Sequence, residues 1–426
     1  MIDLQAEQEK KVRCLLVYEP ENIGNELGGL VSALDMEIAE SLVLPSRRPQ
    51  GNAARYGVGT GKAQQICDLA KDLQADCIIF DSQITPTRQR NWENLTGIPV
   101  FDRHEVILRI FARRAKTKEA VLQVELASLA YSLPRLAHSY GDMARQRGGS
   151  YGSKGAGETK LELDRRSVQS RIAQVKRDLE KVVRERNTQR KKRGRVPLPG
   201  CALVGYTNAG KSSLLNALTG SDVLAKDQLF ATLDPTTRRL AIPGGSNILL
   251  TDTVGFISNL PHTLVEAFKS TLEEAVHADL LVIVLDAQEA EIQEHYNTVC
   301  SVLEEIGATQ NPRIVVLNKI DLLAHNDIRR IFLKKEFPTA LQVSACTTEG
   351  LDELIRLVCE KLCGPQKKYR LPYDNFSLIE LARKSGSIVS QDWLDNCFEF
   401  TARASKDGKL YELLQPYCID KDNAMT

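Results

Sequence analysis

The chain has 426 residues, 42% hydrophobic and 26% charged, which is enough for two or three folded domains. Its longest apolar runs, such as Leu280–Leu285, are too short to cross a bilayer, and its first residues lack the pattern of a signal peptide. Ten scattered cysteines without a C-x-x-C pair indicate reduced thiols and argue against a structural zinc site. We therefore expect a cytoplasmic protein without a transmembrane segment.

The net charge of +1 conceals a strongly basic segment. Between Arg145 and Arg195 there are 17 Lys and Arg against 6 Asp and Glu, a local charge of +11, so the remainder carries −10. This asymmetry favours a polyanionic partner, with nucleic acid first, although a solvated helix face is the plainer interpretation.

Residues 1–105 alternate short apolar runs with helical patterns, which predicts a small α/β unit with a largely parallel sheet. The expected strands are Val12–Tyr18, Leu42–Leu44, Cys77–Phe80 and Ile98–Phe101; the expected helices are a pattern reaching Ala39, Gly61–Leu73 and Pro86–Leu95. The glycine-rich Gly57–Lys62 fails as a phosphate loop, because Tyr56 and Ala63 stand where Gly and Ser/Thr are needed. We expect a turn that enters a helix there.

Residues 106–195 contain two apolar stripes at 4,3,4,3 spacing, in Leu122–Leu136 and Val168–Val182, which predict an antiparallel helical hairpin. Pro134 is expected to kink the first helix or end it early. The intervening segment, residues 141–157, is rich in glycine and predicts a flexible loop. Its basic residues, the candidate RNA contacts, are Arg145, Arg147 and Lys154.

Charge runs with proline or glycine mark two boundaries, at Lys191–Gly200 and Gly364–Lys368. We therefore predict an N-terminal domain over 1–198, a phosphate-loop domain over 199–363 and a small α+β domain over 369–426.

The strand predicted at Cys201–Val204 runs directly into a complete G-x-x-x-x-G-K-[ST] pattern, which a helix at Ser213–Leu218 follows. The loop consists of Gly205, Tyr206, Thr207, Asn208, Ala209, Gly210, Lys211 and Ser212. Lys211 is expected to reach the β- and γ-phosphates, and the Ser212 hydroxyl to bind Mg²⁺. The helix N-terminus adds partial positive charge.

A second strand, Ile248–Leu250, precedes Asp252, Thr253, Val254 and Gly255. Asp252 is expected to hold Mg²⁺ through water, and the Gly255 N–H to bond the γ-phosphate. Mg²⁺ also needs a threonine from the preceding segment. Spacing alone leaves Thr232, Thr236 and Thr237 open.

Base identity depends on Asn318, Lys319, Ile320 and Asp321, which follow the strand predicted at Arg313–Leu317. The Asp321 carboxylate can accept hydrogen bonds from guanine N1 and N2, whereas adenine offers no such pair of donors. Asn318 would brace the loop, and the Lys319 stem would lie against the base. A backbone N–H of Ser344, Ala345 or Cys346 can bond guanine O6.

Four motifs at the carboxyl ends of predicted strands fit an open α/β sheet that binds GTP and GDP. The predicted fold class is therefore a P-loop GTPase domain, preceded by a small α/β unit with a helical hairpin and followed by a small α+β domain.

These motifs resemble those of the HflX family of bacterial GTPases, over roughly residues 10–360. Gly148–Arg166 is similar to part of that family's N-terminal domain. So is the segment Phe230, Ala231, Thr232, Leu233, Asp234, Pro235 and Thr236, which the resemblance places at the nucleotide, with Thr232 as the second protein ligand of Mg²⁺. The resemblance implies a GTPase that binds the large ribosomal subunit and its rRNA and splits or rescues stalled ribosomes under stress.

Phe256 occupies the position of the water-orienting glutamine of Ras-like enzymes, so we expect slow intrinsic hydrolysis. Asn208 lies three residues before Lys211, where several GTPases without that glutamine hold K⁺; alternatively, it only bonds nearby backbone. The candidate catalytic residues are Lys211, Thr232, Gly255 and Asn208.

We expect a monomer whose hairpin contacts rRNA by shape and charge, without DNA specificity. The alternative is a GTP-dependent switch with a protein or membrane partner, in which the hairpin is an intramolecular arm.

Overall fold

A computed structural model describes residues 11–19, 26–44, 55–139, 154–193, 198–221, 228–242, 247–258, 269–324, 327–364, 366–384, 388–394, 397–403 and 409–419. The chain forms two compact units. The first contains the described residues up to Thr188 together with Gln228–Phe230, and the second contains the other described residues.

The first unit begins with a four-stranded parallel sheet in the order β2-β1-β3-β4. Its strands are β1 (Arg13–Tyr18), β2 (Glu37–Val43), β3 (Cys77–Phe80) and β4 (Val100–Asp102). Its helices are α1 (Glu26–Ser32), α2 (Thr60–Asp72), α3 (Pro86–Thr96) and α4 (Arg103–Arg114). Residues of α2 and α3, including the fully buried Trp92, pack with β1 and β3 in one core. The predicted parallel α/β unit is thus present.

Two long helices follow, α5 (Lys118–Ser139) and α6 (Lys154–Arg193). Arg171 of α6 bonds Glu125 of α5 at 2.6 Å, and Arg186 bonds Glu119 at 3.1 Å. Because the residue number falls in one helix as it rises in the other, the pair is antiparallel, as the two apolar stripes predict.

Two local predictions were wrong, and so was one of the two outcomes expected at Pro134, an early end of the helix. The helical pattern reaching Ala39 ends at Ser32, and Glu37–Val43 pairs with β1; this strand is largely exposed and lacks the apolar alternation that marks a strand. Pro134 does not end α5. A proline cannot donate a hydrogen bond to the carbonyl four residues earlier, that of Ala130, but both residues are exposed and water can bond this carbonyl instead. Lys154–Gly157 belongs to α6 rather than to a loop, because extending an existing helix costs far less than starting one.

The second unit contains a sheet in the order β10-β9-β8-β5-β7-β6, parallel except for β6. Its strands are β5 (Gly200–Gly205), β6 (Thr236–Ala241), β7 (Asn247–Asp252), β8 (Leu280–Asp286), β9 (Arg313–Asn318) and β10 (Leu341–Gln342). Its helices are α7 (Lys211–Thr219), α8 (Lys269–Val276), α9 (Ile292–Glu305), α10 (Ile328–Glu336) and α11 (Leu351–Cys363). All seven residues of β8 are buried, which makes it the centre of the sheet.

The C-terminal residues form a smaller antiparallel sheet, β11 (Gln366–Pro372), β12 (Ile388–Leu394) and β13 (Cys397–Arg403), with β13 in the middle. Helices α12 (Phe376–Lys384) and α13 (Lys409–Leu414) supply Ile379, Ala382 and Leu414 to its core. The predicted fold class is therefore confirmed, whereas the bounds of the three domains stay predictions.

All ten cysteines are free thiols. Within the described ranges, no helix combines the length and the apolar character that a membrane span requires.

Candidate functional site

The phosphate loop joins the buried strand β5 to α7, which begins at Lys211. Gly210 has a φ of +87°, and a Cβ there would lie 2.3 Å from Asn318 Nδ2, so only glycine fits. Asn208 also adopts a left-handed conformation, with a φ of +62°. No side chain caps the start of α7, which leaves its first N–H groups free to bind an anion.

Lys211 is buried at the start of this helix. Its ammonium donates hydrogen bonds to the carbonyl oxygens of Gly205 and Tyr206, at 3.1 and 2.7 Å. Burial lowers the pKa of the Lys211 ammonium to about 8, and the Asp252 carboxylate opposes this shift. Phosphate oxygens could take the place of the two carbonyl groups as partners of the ammonium.

Ser212, Thr232 and Asp252 meet at one point. The Ser212 hydroxyl donates to Asp252 Oδ2 at 2.6 Å and lies 2.8 Å from Thr232 Oγ1. Asp252 is fully buried, and burial raises its pKa while the Lys211 charge lowers it. The other carboxylate oxygen, Oδ1, has no hydrogen-bond partner. Two hydroxyls and a carboxylate suit a hard divalent cation such as Mg²⁺.

The geometry also separates the three candidate switch threonines. Thr237 Oγ1 lies 3.0 Å from Thr251 Oγ1 on the neighbouring strand, and Thr236 bonds the Asp234 carbonyl. Only Thr232 contacts Ser212 in the described bonds. This contact favours Thr232, in agreement with the resemblance.

The segment that follows β7 is joined to the phosphate loop by backbone hydrogen bonds. The Phe256 N–H donates to the Gly205 carbonyl at 3.1 Å, and the Thr207 N–H donates to the Phe256 carbonyl at 2.7 Å. A Cβ on Gly255 would lie 2.8 Å from Thr207 Cα and 3.1 Å from Lys211 Nζ. Gly255 therefore packs directly on the loop, where a side chain would not fit.

Tyr206 holds the same segment through its side chain. Its hydroxyl accepts a hydrogen bond from the Ser258 N–H at 2.6 Å and lies 2.6 Å from Ser258 Oγ. Its ring stacks on His295 of α9, with centroids 3.7 Å apart and planes 5° apart. Neither Ser258 nor His295 was predicted, and no local pattern in the sequence links them to Tyr206.

Asn318 connects the phosphate loop to the guanine motifs. Its side chain is buried; Nδ2 donates to the Ala209 carbonyl at 3.0 Å, and Oδ1 accepts from the Ala345 N–H at 3.1 Å. The predicted bracing role of Asn318 therefore has a definite geometry.

The predicted guanine contact Asp321 accepts a hydrogen bond from the Ser344 hydroxyl at 2.6 Å. The Cys346 N–H in turn donates to Ser344 Oγ at 3.2 Å. Lys319 forms an ion pair with Asp286 at 2.7 Å. Asp286 was not predicted, although its place at the end of a strand, β8, is the signal that identified the other motifs.

Two other predicted residues, Phe230 and Lys154, belong to the first unit. Phe230, with a φ of +54°, packs edge-on against Phe111 of α4 within the first unit, with ring centroids 4.7 Å apart. Arg145 and Arg147 lie outside the described residues, and Lys154 is the first residue of α6.

Three family models match successive parts of the chain. A model described as GTP-binding GTPase N-terminal matches residues 21–112, and one described as GTP-binding GTPase Middle Region matches residues 114–193. The third, described as 50S ribosome-binding GTPase, matches residues 200–319, which include the phosphate loop and Asn318.

Close relatives carry the name GTPase HflX. The Akkermansia muciniphila protein is 44% identical over 416 residues, which cover 93% of this chain and 94% of that one. The Caldanaerobacter subterraneus subsp. tengcongensis protein is 40% identical over 397 residues, covering 92% and 90%. The Escherichia coli K12 protein is 42% identical over 349 residues, covering 82% and 81%. With identity at this level over most of its length, and with the GTP motifs gathered at one edge of the sheet, the chain belongs to the HflX family of GTPases and is a GTP hydrolase.

Proposed function

We propose that this GTPase works on the large ribosomal subunit, with its basic helical hairpin contacting rRNA, and that it splits or rescues stalled ribosomes. The observation that carries the proposal is the length and charge of α6. The helix spans 40 residues, about 60 Å at 1.5 Å per residue. Its sequence holds 14 basic and 6 acidic residues, a net charge of +8.

Ion pairs within the hairpin account for only part of this charge. Arg171 and Arg186 bond α5, and Arg166 and Arg184 pair with acidic residues one turn away in α6. Basic side chains outnumber the acidic ones even so, and several are exposed, among them Lys176 and Arg177. An excess of positive charge along a rigid rod suits a backbone of phosphates. The match of residues 200–319 to a model described as 50S ribosome-binding GTPase supports the rRNA of the large subunit as the source of these phosphates.

At the GTP site, we propose that Lys211 contacts the β- and γ-phosphates and that the Gly255 N–H bonds the γ-phosphate. Ser212 and Thr232 would hold Mg²⁺ directly, and Asp252 through water. The unpartnered Asp252 Oδ1 and the two adjacent hydroxyls support this set. Bound Mg²⁺ would neutralise charge on the phosphate oxygens.

We propose that guanine selectivity depends on Asp321, whose carboxylate would accept from guanine N1 and N2. Phe256 offers no hydrogen bond to water, so stimulation by the partner is expected to set the rate.

Co-sedimentation with large subunits tests the ribosomal part of the proposal. Binding should be stronger with a non-hydrolysable GTP analogue than with GDP, and should weaken steeply between about 50 and 200 mM salt. The double variant Lys176→Glu/Arg177→Glu should weaken binding and flatten the salt dependence by about two phosphate contacts. Lys334→Glu, an exposed charge change on α10, is the matched control and should bind normally.

Removing residues 148–157 should lower the ribosome-stimulated GTPase rate while the basal rate survives. Sucrose-gradient analysis of 70S particles with GTP should show more free subunits with the intact chain than with this deletion. If the deletion and the double variant Lys176→Glu/Arg177→Glu both kept the ribosome-stimulated GTPase rate and the salt dependence of binding unchanged, the RNA contact would be contradicted. A protein or membrane partner would then be favoured.

A further inference from the structure

Among the residues that the structure describes, two buried side-chain oxygens at the GTP site have no hydrogen-bond partner: Asp252 Oδ1 and Thr207 Oγ1. A divalent cation next to Ser212 accounts for the first. Nothing in the machinery described above accounts for the second, because phosphate loops bind through backbone N–H groups and through the lysine.

Thr207 lies where the γ-phosphate machinery converges. The residue is 6% exposed, and its N–H donates to the Phe256 carbonyl at 2.7 Å. A Cβ on Gly255 would be 2.8 Å from both Cα and Cγ2 of Thr207, and 3.1 Å from Lys211 Nζ. Thr207 therefore contacts the glycine expected to sense the γ-phosphate, next to the ammonium expected to bind it.

A buried hydroxyl without a partner is unfavourable, because it has lost its hydrogen bonds to water and gained none. Valine has the same shape, so filling space does not require the oxygen. A phosphate oxygen is a strong, charged acceptor that would satisfy it. GTP brings such an oxygen to this place, whereas GDP does not.

We propose that the Thr207 hydroxyl donates a hydrogen bond to the γ-phosphate and so raises the preference of the site for GTP over GDP. The segment at Gly255 moves off the loop when the γ-phosphate enters, and the hydroxyl gains a partner in the same step. Thr207 is thus a determinant of nucleotide state. This inference depends on the GTP hydrolase site and not on ribosome binding.

The test compares the dissociation constants of fluorescent GMPPNP and GDP, both with Mg²⁺, for the full chain and its variants. In Thr207→Val the preference for GMPPNP over GDP should fall about tenfold, the equivalent of one good hydrogen bond. Thr207→Ser keeps the hydroxyl and should stay within about twofold of the wild type. Thr219→Val is the matched control in the same domain, since its hydroxyl donates to the Leu215 carbonyl at 2.7 Å, and the preference should not change.

An unchanged preference in Thr207→Val would overturn the proposal, as would a Thr207→Ser value as low as that of Thr207→Val. A slower turnover in Thr207→Val with an unchanged preference would also overturn it and would assign the hydroxyl to the attacking water. If Thr207→Val no longer binds GDP, Thr207→Ala takes its place, and the same tenfold criterion decides.

Discussion

Replacing Asn318 with alanine is expected to weaken GDP binding although Asn318 lies in the structure as a brace between loops. The variant removes partners from the Ala209 carbonyl and the Ala345 N–H. The residue Ala209 is 1% exposed, so its carbonyl has little access to water, whereas Ala345 is half-buried. Leaving the two groups unpaired costs about 2–4 kcal/mol in all.

In the free variant the loops can relax and let water reach both groups, and GDP binding must then restore their strained arrangement. The dissociation constant should therefore rise by about 30- to 1,000-fold. Stopped-flow fluorescence of a mant-labelled GDP measures it directly, with circular dichroism as a check on folding.

Asn311→Ala is the matched control. Asn311 Nδ2 donates to three carbonyl groups, two in the last turn of α8 and that of Ala278 just beyond it, the nearest at 2.7 Å. Its loss should lower the stability of the domain and leave GDP affinity intact. A GDP dissociation constant for Asn318→Ala within about threefold of the wild type would refute the coupling between loops, since even one lost buried bond is worth more.

Three further predictions concern specificity, cations and pH. Asp321→Asn should lose discrimination against xanthine nucleotides, measured by competition with labelled GDP, because an amide cannot accept hydrogen bonds from both guanine N1 and the exocyclic N2 as a carboxylate does. Basal GTP hydrolysis should be several-fold faster in KCl than in NaCl at equal ionic strength, and Asn208→Ala should abolish the difference. The first unit should lose stability as pH falls below about 6.5, because burial lowers the pKa of His104 in the folded chain. Below that pH His104 is protonated in the unfolded chain but still neutral in the folded chain, so protons favour unfolding. Above that pH the neutral ring contributes no pH dependence; urea unfolding followed by Trp92 fluorescence in a Trp393→Phe background measures the slope.

For each of these three predictions, one result would contradict the reasoning. Full xanthine discrimination in Asp321→Asn would remove the guanine assignment. Equal rates in the two salts would leave Asn208 as a backbone contact. A stability slope that persists in His104→Phe would assign the pH dependence to another group.

The sequence predicts the placement of the GTP motifs at the ends of strands because each motif is local. A buried apolar strand followed by Gly205, by Asp252 or by Asn318 marks one edge of a sheet, and parallel pairing brings those edges together. Asp286 meets the same criterion and was missed only because it stands in no motif. The stacking partner of Tyr206, His295, could not be predicted, since it depends on how α9 packs.

A local pattern of residue types also fails to predict the structure where strand pairing or the length of a helix decides it. Strand β2 has few buried residues and forms through its hydrogen bonds to β1, which a pattern of apolar residues does not reveal. The glycines at the start of α6 favour a turn when taken alone, but a 40-residue helix extends through them.

The position of Lys211 has a consequence for how nucleotide leaves. Its ammonium donates hydrogen bonds to two carbonyl groups of its own loop, and the Asp252 carboxylate favours its charged form. If Lys211 contacts phosphate as proposed, these carbonyl groups of the same loop can become its partners again when the phosphate leaves. The contribution of Lys211 to nucleotide affinity is therefore only the difference between its interactions with phosphate and its hydrogen bonds to the loop carbonyl groups. The lifetime of bound GDP should accordingly respond more to changes in the guanine loops than to ionic strength.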